Sequence, residues 1–127
     1  MPRFLLSIVL VCLLVLPVSP VRAQYEMDIG SLMAAIRHGD LSAEVEPMDS
    51  ATTIYVTRIS RLAGIRINSD RITRTIAFRE PDLRRFRRAI GNVRLVKRML
   101  EIHGHTLDQV IWATHSGGSA MLYVDDR

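Results

Sequence analysis

Cysteine is almost absent. The 127-residue chain has one, Cys12, and it lies inside an apolar run that reads as a removable leader. Without that leader no disulfide can staple the domain, so its stability must come from packing. Thiol catalysis, thiolate zinc sites and iron–sulfur clusters are excluded for the same reason. Also missing are a glycine-rich strand-to-helix loop with a P-loop lysine and a dinucleotide-binding fingerprint. The stretch "THSGGS" is not a nucleophile elbow, because its glycines follow Ser116 instead of bracketing it. The apolar run from Phe4 to Leu16 has thirteen residues and is closed by Pro17, short of the ~20 that a bilayer core needs. No catalytic machinery is legible, and no cofactor is called for.

What stands at the start is an export signal. Arg3 supplies the positive opening, Phe4 to Leu16 the apolar centre, and Val21 and Ala23 a small-x-small exit. Cys12 follows Val11 and lies mid-run, which argues against a lipoprotein. Cleavage after Ala23 is expected, with a retained anchor as the alternative. The mature chain, 24–127, has 104 residues. It is read as one periplasmic or secreted domain with no membrane span, burying roughly 60–68% of its unfolded surface.

Charge is strongly segregated. From Arg58 to Arg98 there are thirteen basic residues and three acidic ones, a net of +10. The other mature residues hold Arg37 and Arg127 against ten carboxylates, a net of −8. Clustered arginine concentrates positive potential. Two readings follow. Either the middle is a basic face for an anionic partner, or the acidic ends fold back and neutralise it, and the second is preferred. Nucleic acid is not the expected partner of an exported chain; an envelope protein or an anionic envelope polymer is.

Periodicity assigns most elements. Ile29, Leu32, Met33 and Ile36 share a helical face, with Asp28 as a cap and Gly39 as a left-handed stop. The segment "DLSAEVEPMDSA" is polar and reads as a surface connection. Thr52 to Ile59 is dense in β-branched and aromatic residues and is read as a strand. Residues 65–79 are either a hairpin turning at Asn68-Ser69-Asp70 or a helix, and helix is favoured because Arg74 breaks strand alternation. Pro81 suits a helix's first turn. In that helix Leu83, Phe86 and Ile90 face inward, and Arg84, Arg85, Arg87 and Arg88 are read as the solvated side. Asn92 can cap a further helix with Leu95, Val96, Met99 and Leu100 inward.

His103, His105 and His115 are the residues that raise the question of chemistry. Projection at 100° per residue puts His103 between Met99 and Val96, as a packing residue one step before the Gly104 stop. Thr106 and Gln109 fit a capping box. Val110 to Val124 reads as a hairpin around Gly117-Gly118, pairing Ser116 with Ser119, His115 with Ala120, Trp112 with Tyr123 and Ile111 with Val124. A metal or hydrolytic site built on His103, His105 and His115 is the alternative, but His103-Gly104-His105 straddles a helix end and lacks the stacking of a His-x-x-x-His ligand pair.

These pieces make a small α+β domain, with helices packed on a short antiparallel sheet that ends in a C-terminal β-hairpin. If helices cover only one face, Trp112, Met121 and Tyr123 lie on the open side and are candidate binding residues, together with Arg84, Arg85 and Arg88. The competing and preferred reading makes Trp112 and Tyr123 a stabilising cross-strand pair, or places them beneath the N-terminal helix. The expected role is non-enzymatic, through surface binding of protein or ligand.

Overall fold

The computed structural model describes residues 26–127. The leader, its exit at Ala23 and the alternative of a retained anchor lie outside the described residues. No described helix is long and apolar enough to cross a membrane.

The N-terminal helix, α1 (Ile29–His38), forms as its spacing predicts. Ile29, Leu32, Met33 and Ile36 are all buried, and the Asp28 carboxylate accepts the Ser31 N–H at 2.7 Å. That backbone hydrogen bond, with a smaller one from the Ser31 side chain, holds the Asp28 carboxyl below its ordinary pKa. Gly39 ends α1 with extended backbone, not in a left-handed conformation. Its missing side chain has another cause: a Cβ there would overlap the Trp112 ring and the Ala35 carbonyl oxygen.

The polar connection is more structured than its composition suggests. It winds into a 3₁₀ turn (Leu41–Glu44) and a short helix, α2 (Val45–Ser50), burying Leu41 and Met48. Pro47 sits in the first turn of α2, where its missing N–H costs no intrahelical bond. After it come β1 (Thr53–Arg58), a 3₁₀ turn (Ile59–Arg61) and α3 (Ile65–Phe78), so residues 65–79 are helical rather than a hairpin. Two further helices follow, α4 (Glu80–Ile90) and α5 (Arg94–Ile102), with Pro81 in the first turn of α4. Thr106 and Gln109 form the capping box of a last 3₁₀ turn (Leu107–Gln109), which feeds β2 (Val110–Ser116) and then β3 (Ser119–Val124).

The hairpin pairs in the expected register from Ser116–Ser119 to Trp112–Tyr123. Beyond that point Val110, not Ile111, meets Val124, so Ile111 is the extra residue of a bulge. The sheet is mixed rather than antiparallel. β1 lies parallel to β3, Thr53 opposite Ser119 through Arg58 opposite Val124, giving the order β1-β3-β2. The architecture is a small α+β domain, five α-helices on a three-stranded mixed sheet among the described residues.

Both faces of that sheet are covered. Ala120 to Val124, five consecutive residues of the central strand, are each no more than 2% exposed. Successive strand side chains point to opposite faces, so no open face remains along β3. The N-terminal segment supplies the second cover. The Met27 N–H donates to the Tyr123 hydroxyl at 3.0 Å, and the Trp112 ring abuts Gly39. Burial pushes the Tyr123 phenol above its ordinary pKa, against the opposing Met27 hydrogen bond. One continuous core runs from Ile29 to Val124.

Candidate functional site

The covered sheet removes part of the expected binding surface. Trp112, Met121 and Tyr123 are 5%, 2% and 0% exposed, so the open-face expectation is corrected. They are core residues, because α1 and the chain before it occupy the face that a one-sided packing would leave wet. The preferred sequence reading offered a cross-strand pair or burial beneath the N-terminal helix, and the fold has both: Trp112 stands opposite Tyr123, and the N-terminal segment lies against them.

The histidines do not converge. Through the strand register His115 stands level with Ala120 and Ile54, near the start of β1. There its Nδ1 lies 2.6 Å from Glu44 Oε2. His103 and His105 instead line a cleft of about 260 Å³ with Val56, Arg58 and Arg61, at the other end of the strand. Among the described residues no group of three His, Cys, Asp or Glu side chains is placed to hold a metal ion. The two guanidiniums in the cleft would also repel a cation there.

His103-Gly104-His105 has a structural explanation that differs from the expected one. α5 ends at Ile102, and His103 leaves the helix as its cap, exposed rather than packed. The Gly104 N–H bonds Glu101 O at 3.0 Å and the His105 N–H bonds Leu100 O at 2.9 Å. That pair of bonds, with Gly104 at φ 73°, is a Schellman closure of the helix. The projected arc ran one residue too long, because the helix ends at Ile102 and His103 turns out to solvent. His103→Ala should therefore change stability by less than ~0.5 kcal/mol. Gly104→Ala should cost about 1–2 kcal/mol, because a Cβ there meets nothing within 4 Å yet requires left-handed backbone. Urea denaturation of the two variants checks this, and a larger loss at His103 would contradict it.

The arginines of α4 divide into two groups. Arg84, Arg85 and Arg88 are exposed and, with Pro81, line a shallow groove of about 260 Å³. Arg85 is paired with Asp82. Arg87, expected on the same side, is turned inward and is 8% exposed. Its Nε donates to Val110 O at 2.8 Å and its Nη1 to Glu80 Oε1 at 2.8 Å. The correction has a geometric source: Leu83, Phe86, Arg87 and Ile90 follow i, i+3, i+4, i+7, so Arg87 shares the buried arc.

A larger groove of about 600 Å³ runs between α4 and the turn after α1, with Asp40, Leu41, Arg79 and Phe86 in its walls. Its polar groups are engaged with one another. Arg79 donates to Arg37 O and Gly39 O at 3.1 Å each, closing the end of α1. Its buried Nε is 3.0 Å from Asp82 Oδ2, an ion pair not aligned as a hydrogen bond. The Ser42 hydroxyl donates to Asp40 at 2.6 Å. The Ser42 hydroxyl and then its N–H hold the Asp40 carboxyl below its ordinary pKa against the opposing effect of burial, with the least contribution from Arg79. No histidine lines this groove, so the base beside Ser42 is the Asp40 carboxylate and not an imidazole.

Among the described residues the acidic ends form no ion pair with the basic middle, although Asp40 lies in the field of Arg79 and Asp126 in that of Arg58. Asp28 and Asp40 serve as caps, and Glu44 meets His115. Asp125 pairs with Arg127, and Asp126 accepts both the hydroxyl and the N–H of Ser60. Burial raises the Asp126 carboxyl pKa, but the Ser60 bonds and the field of Arg58 bring it net below its ordinary value. Every ion pair made by the segment from Arg58 to Arg98 uses its own Glu80 or Asp82, among the described residues.

Residue spacing held one further surface that the sequence analysis did not single out. Arg37, Arg71, Arg74 and Phe78 line a cavity of about 340 Å³ with Thr75, and Ile67, Arg71, Arg74 and Phe78 recur at i, i+4, i+7 and i+11. No protein-family profile, curated protein or solved structure matches the chain.

Proposed function

We propose that the protein is an exported, non-catalytic binding domain that holds an anionic envelope polymer on the arginines of α4. The observation that carries this reading is that Arg84 and Arg88 have no ion-pair partner among the described residues. Asp28 and Asp40 act as caps, Glu44 meets His115, and Asp125 and Asp126 bind Arg127 and Ser60, so none of these carboxylates pairs with Arg84 or Arg88. Unpaired guanidiniums on one helix face retain their attraction for an extended polyanion. An anionic polymer suits the shallow groove beside Pro81 better than a small molecule, since it can contact several arginines without being enclosed.

Retention on immobilised heparin tests the reading. Arg84→Gln with Arg88→Gln is expected to elute at clearly lower salt than the parent, because the attraction is screened by ions. The same pair should change stability by less than ~1 kcal/mol, as exposed substitutions usually do. Retention that is unaltered by the two substitutions would overturn the proposal.

A further inference from the structure

The outward side of α3 carries two apolar residues that the core does not use. Ile67 is 88% exposed and Phe78 is 78% exposed. Most large apolar side chains in the described residues are buried, so two at such exposure on one helix invite a partner. At 100° per residue, Ile67, Arg71, Arg74 and Phe78 fall within about 60° of one another, along about 16 Å of helix axis. Ile72, on the far side of the helix, is fully buried. Arg37 joins the stripe from the last turn of α1 through the cavity it shares with Arg71, Arg74 and Phe78. None of the three arginines has an ion-pair partner among the described residues. Arg71 reaches only the Asn68 side chain, at 3.5 Å, and Asp70 is the one carboxylate of α3.

We propose that this stripe docks the protein on an anionic phospholipid surface. A lipid phosphate sits among Arg37, Arg71 and Arg74, and Ile67 and Phe78 dip into the acyl boundary. The layering of the stripe favours lipid over a protein helix. Its apolar residues stand at the two ends with cations between them, so there is no continuous apolar seam for a partner helix to pack on. A bilayer offers phosphates directly above hydrocarbon, and arginine stems can lie along apolar surface while their heads stay with the phosphates. Free phosphate would satisfy the guanidiniums but give Phe78 nothing. Two apolar side chains, with no membrane-spanning helix among the described residues, make the binding reversible and dependent on anionic lipid.

The test uses the chain from Gln24 onward, which contains the entire core described above and leaves out the apolar run of the leader. It is sedimented with vesicles of phosphatidylcholine alone and of equal parts phosphatidylcholine and phosphatidylglycerol. Binding to the mixed vesicles only is expected. Arg71→Gln with Arg74→Gln should weaken it roughly twenty-five-fold, at about fivefold for each arginine near an anionic surface. Ile67→Ser with Phe78→Ser should also weaken vesicle binding while leaving heparin retention unchanged. Arg84→Gln with Arg88→Gln should do the reverse, so this inference and the α4 reading fail separately. Thermal melts of each variant confirm that it folds. Equal binding to both vesicle types, no binding to the mixed ones, binding that survives loss of Ile67 and Phe78, or full displacement by millimolar inorganic phosphate would each overturn the inference.

Discussion

Arg87→Met is expected to lower stability by about 2–4 kcal/mol, whereas Arg88→Met one position on should change it by less than ~0.5 kcal/mol. The two arginines share a helix and a charge but not an environment. Arg87 is 8% exposed and holds Val110 O beside the β2 bulge and Glu80 at the start of its own helix. Removing its guanidinium leaves the Val110 carbonyl without that donor, and an unsatisfied buried acceptor costs about 1–3 kcal/mol. Breaking a fully buried ion pair costs about 3–5 kcal/mol. The Glu80 side chain is 36% exposed, so water replaces part of what it loses and the estimate falls below that range. Arg87→Lys should recover little, because one ammonium cannot reproduce a fork that reaches a carbonyl and a carboxylate at once. Urea denaturation of the three variants decides this. Equal losses at Arg87 and Arg88 would mean that the contact with β2 contributes nothing.

Gly39→Ala should cost about 3 kcal/mol, at or beyond the upper end of the usual range for overpacking a well-filled site. The added methyl would overlap Cη2 and Cζ2 of Trp112 and the carbonyl oxygen of Ala35. A flexible side chain could yield, but here one obstacle is backbone and the other a ring that is 5% exposed. Gly30→Ala is the control. It lies inside α1, its new Cβ would have Asp28 Oδ1 at 3.7 Å as its nearest neighbour, and it should be neutral or stabilising by up to ~1 kcal/mol. Combining Gly39→Ala with Trp112→Phe should relieve the ring overlap but not the Ala35 carbonyl, giving a coupling of opposite sign to the single losses. A Gly39 variant as stable as the Gly30 variant would show that α1 does not press on Trp112.

Local order was legible in the chain because its causes lie within a few residues. Asp28 and the Thr106–Gln109 box mark helix starts through bonds spanning three residues. The hairpin register from Ser116 to Trp112 follows from two glycines and counting outward. The apolar spacing of α1, α4 and α5 needs no knowledge of what each face meets. Some local assignments failed, such as the polar connection over 41–50 and the Asn92 cap, whose place Val93 takes. The larger failures concern contacts made across the chain. Met27 and Tyr123 are 96 residues apart, and no periodicity in β3 reveals that a helix will lie on its second face. Arg87 stood in the apolar arc by spacing, yet its charge argued for solvent, and only Val110 on a distant strand resolves the conflict. Gly39 carried a signal for flexibility when the real constraint was the Trp112 ring. At the candidate site the difference is sharpest. Sequence spacing places Ile67, Arg71, Arg74 and Phe78 along one side of a helix, because that is a property of helical pitch. That this side faces solvent while Ile72 faces the core, and that Arg37 joins it from another helix, was decided by packing. Burial is a property of the whole fold, not of any one segment.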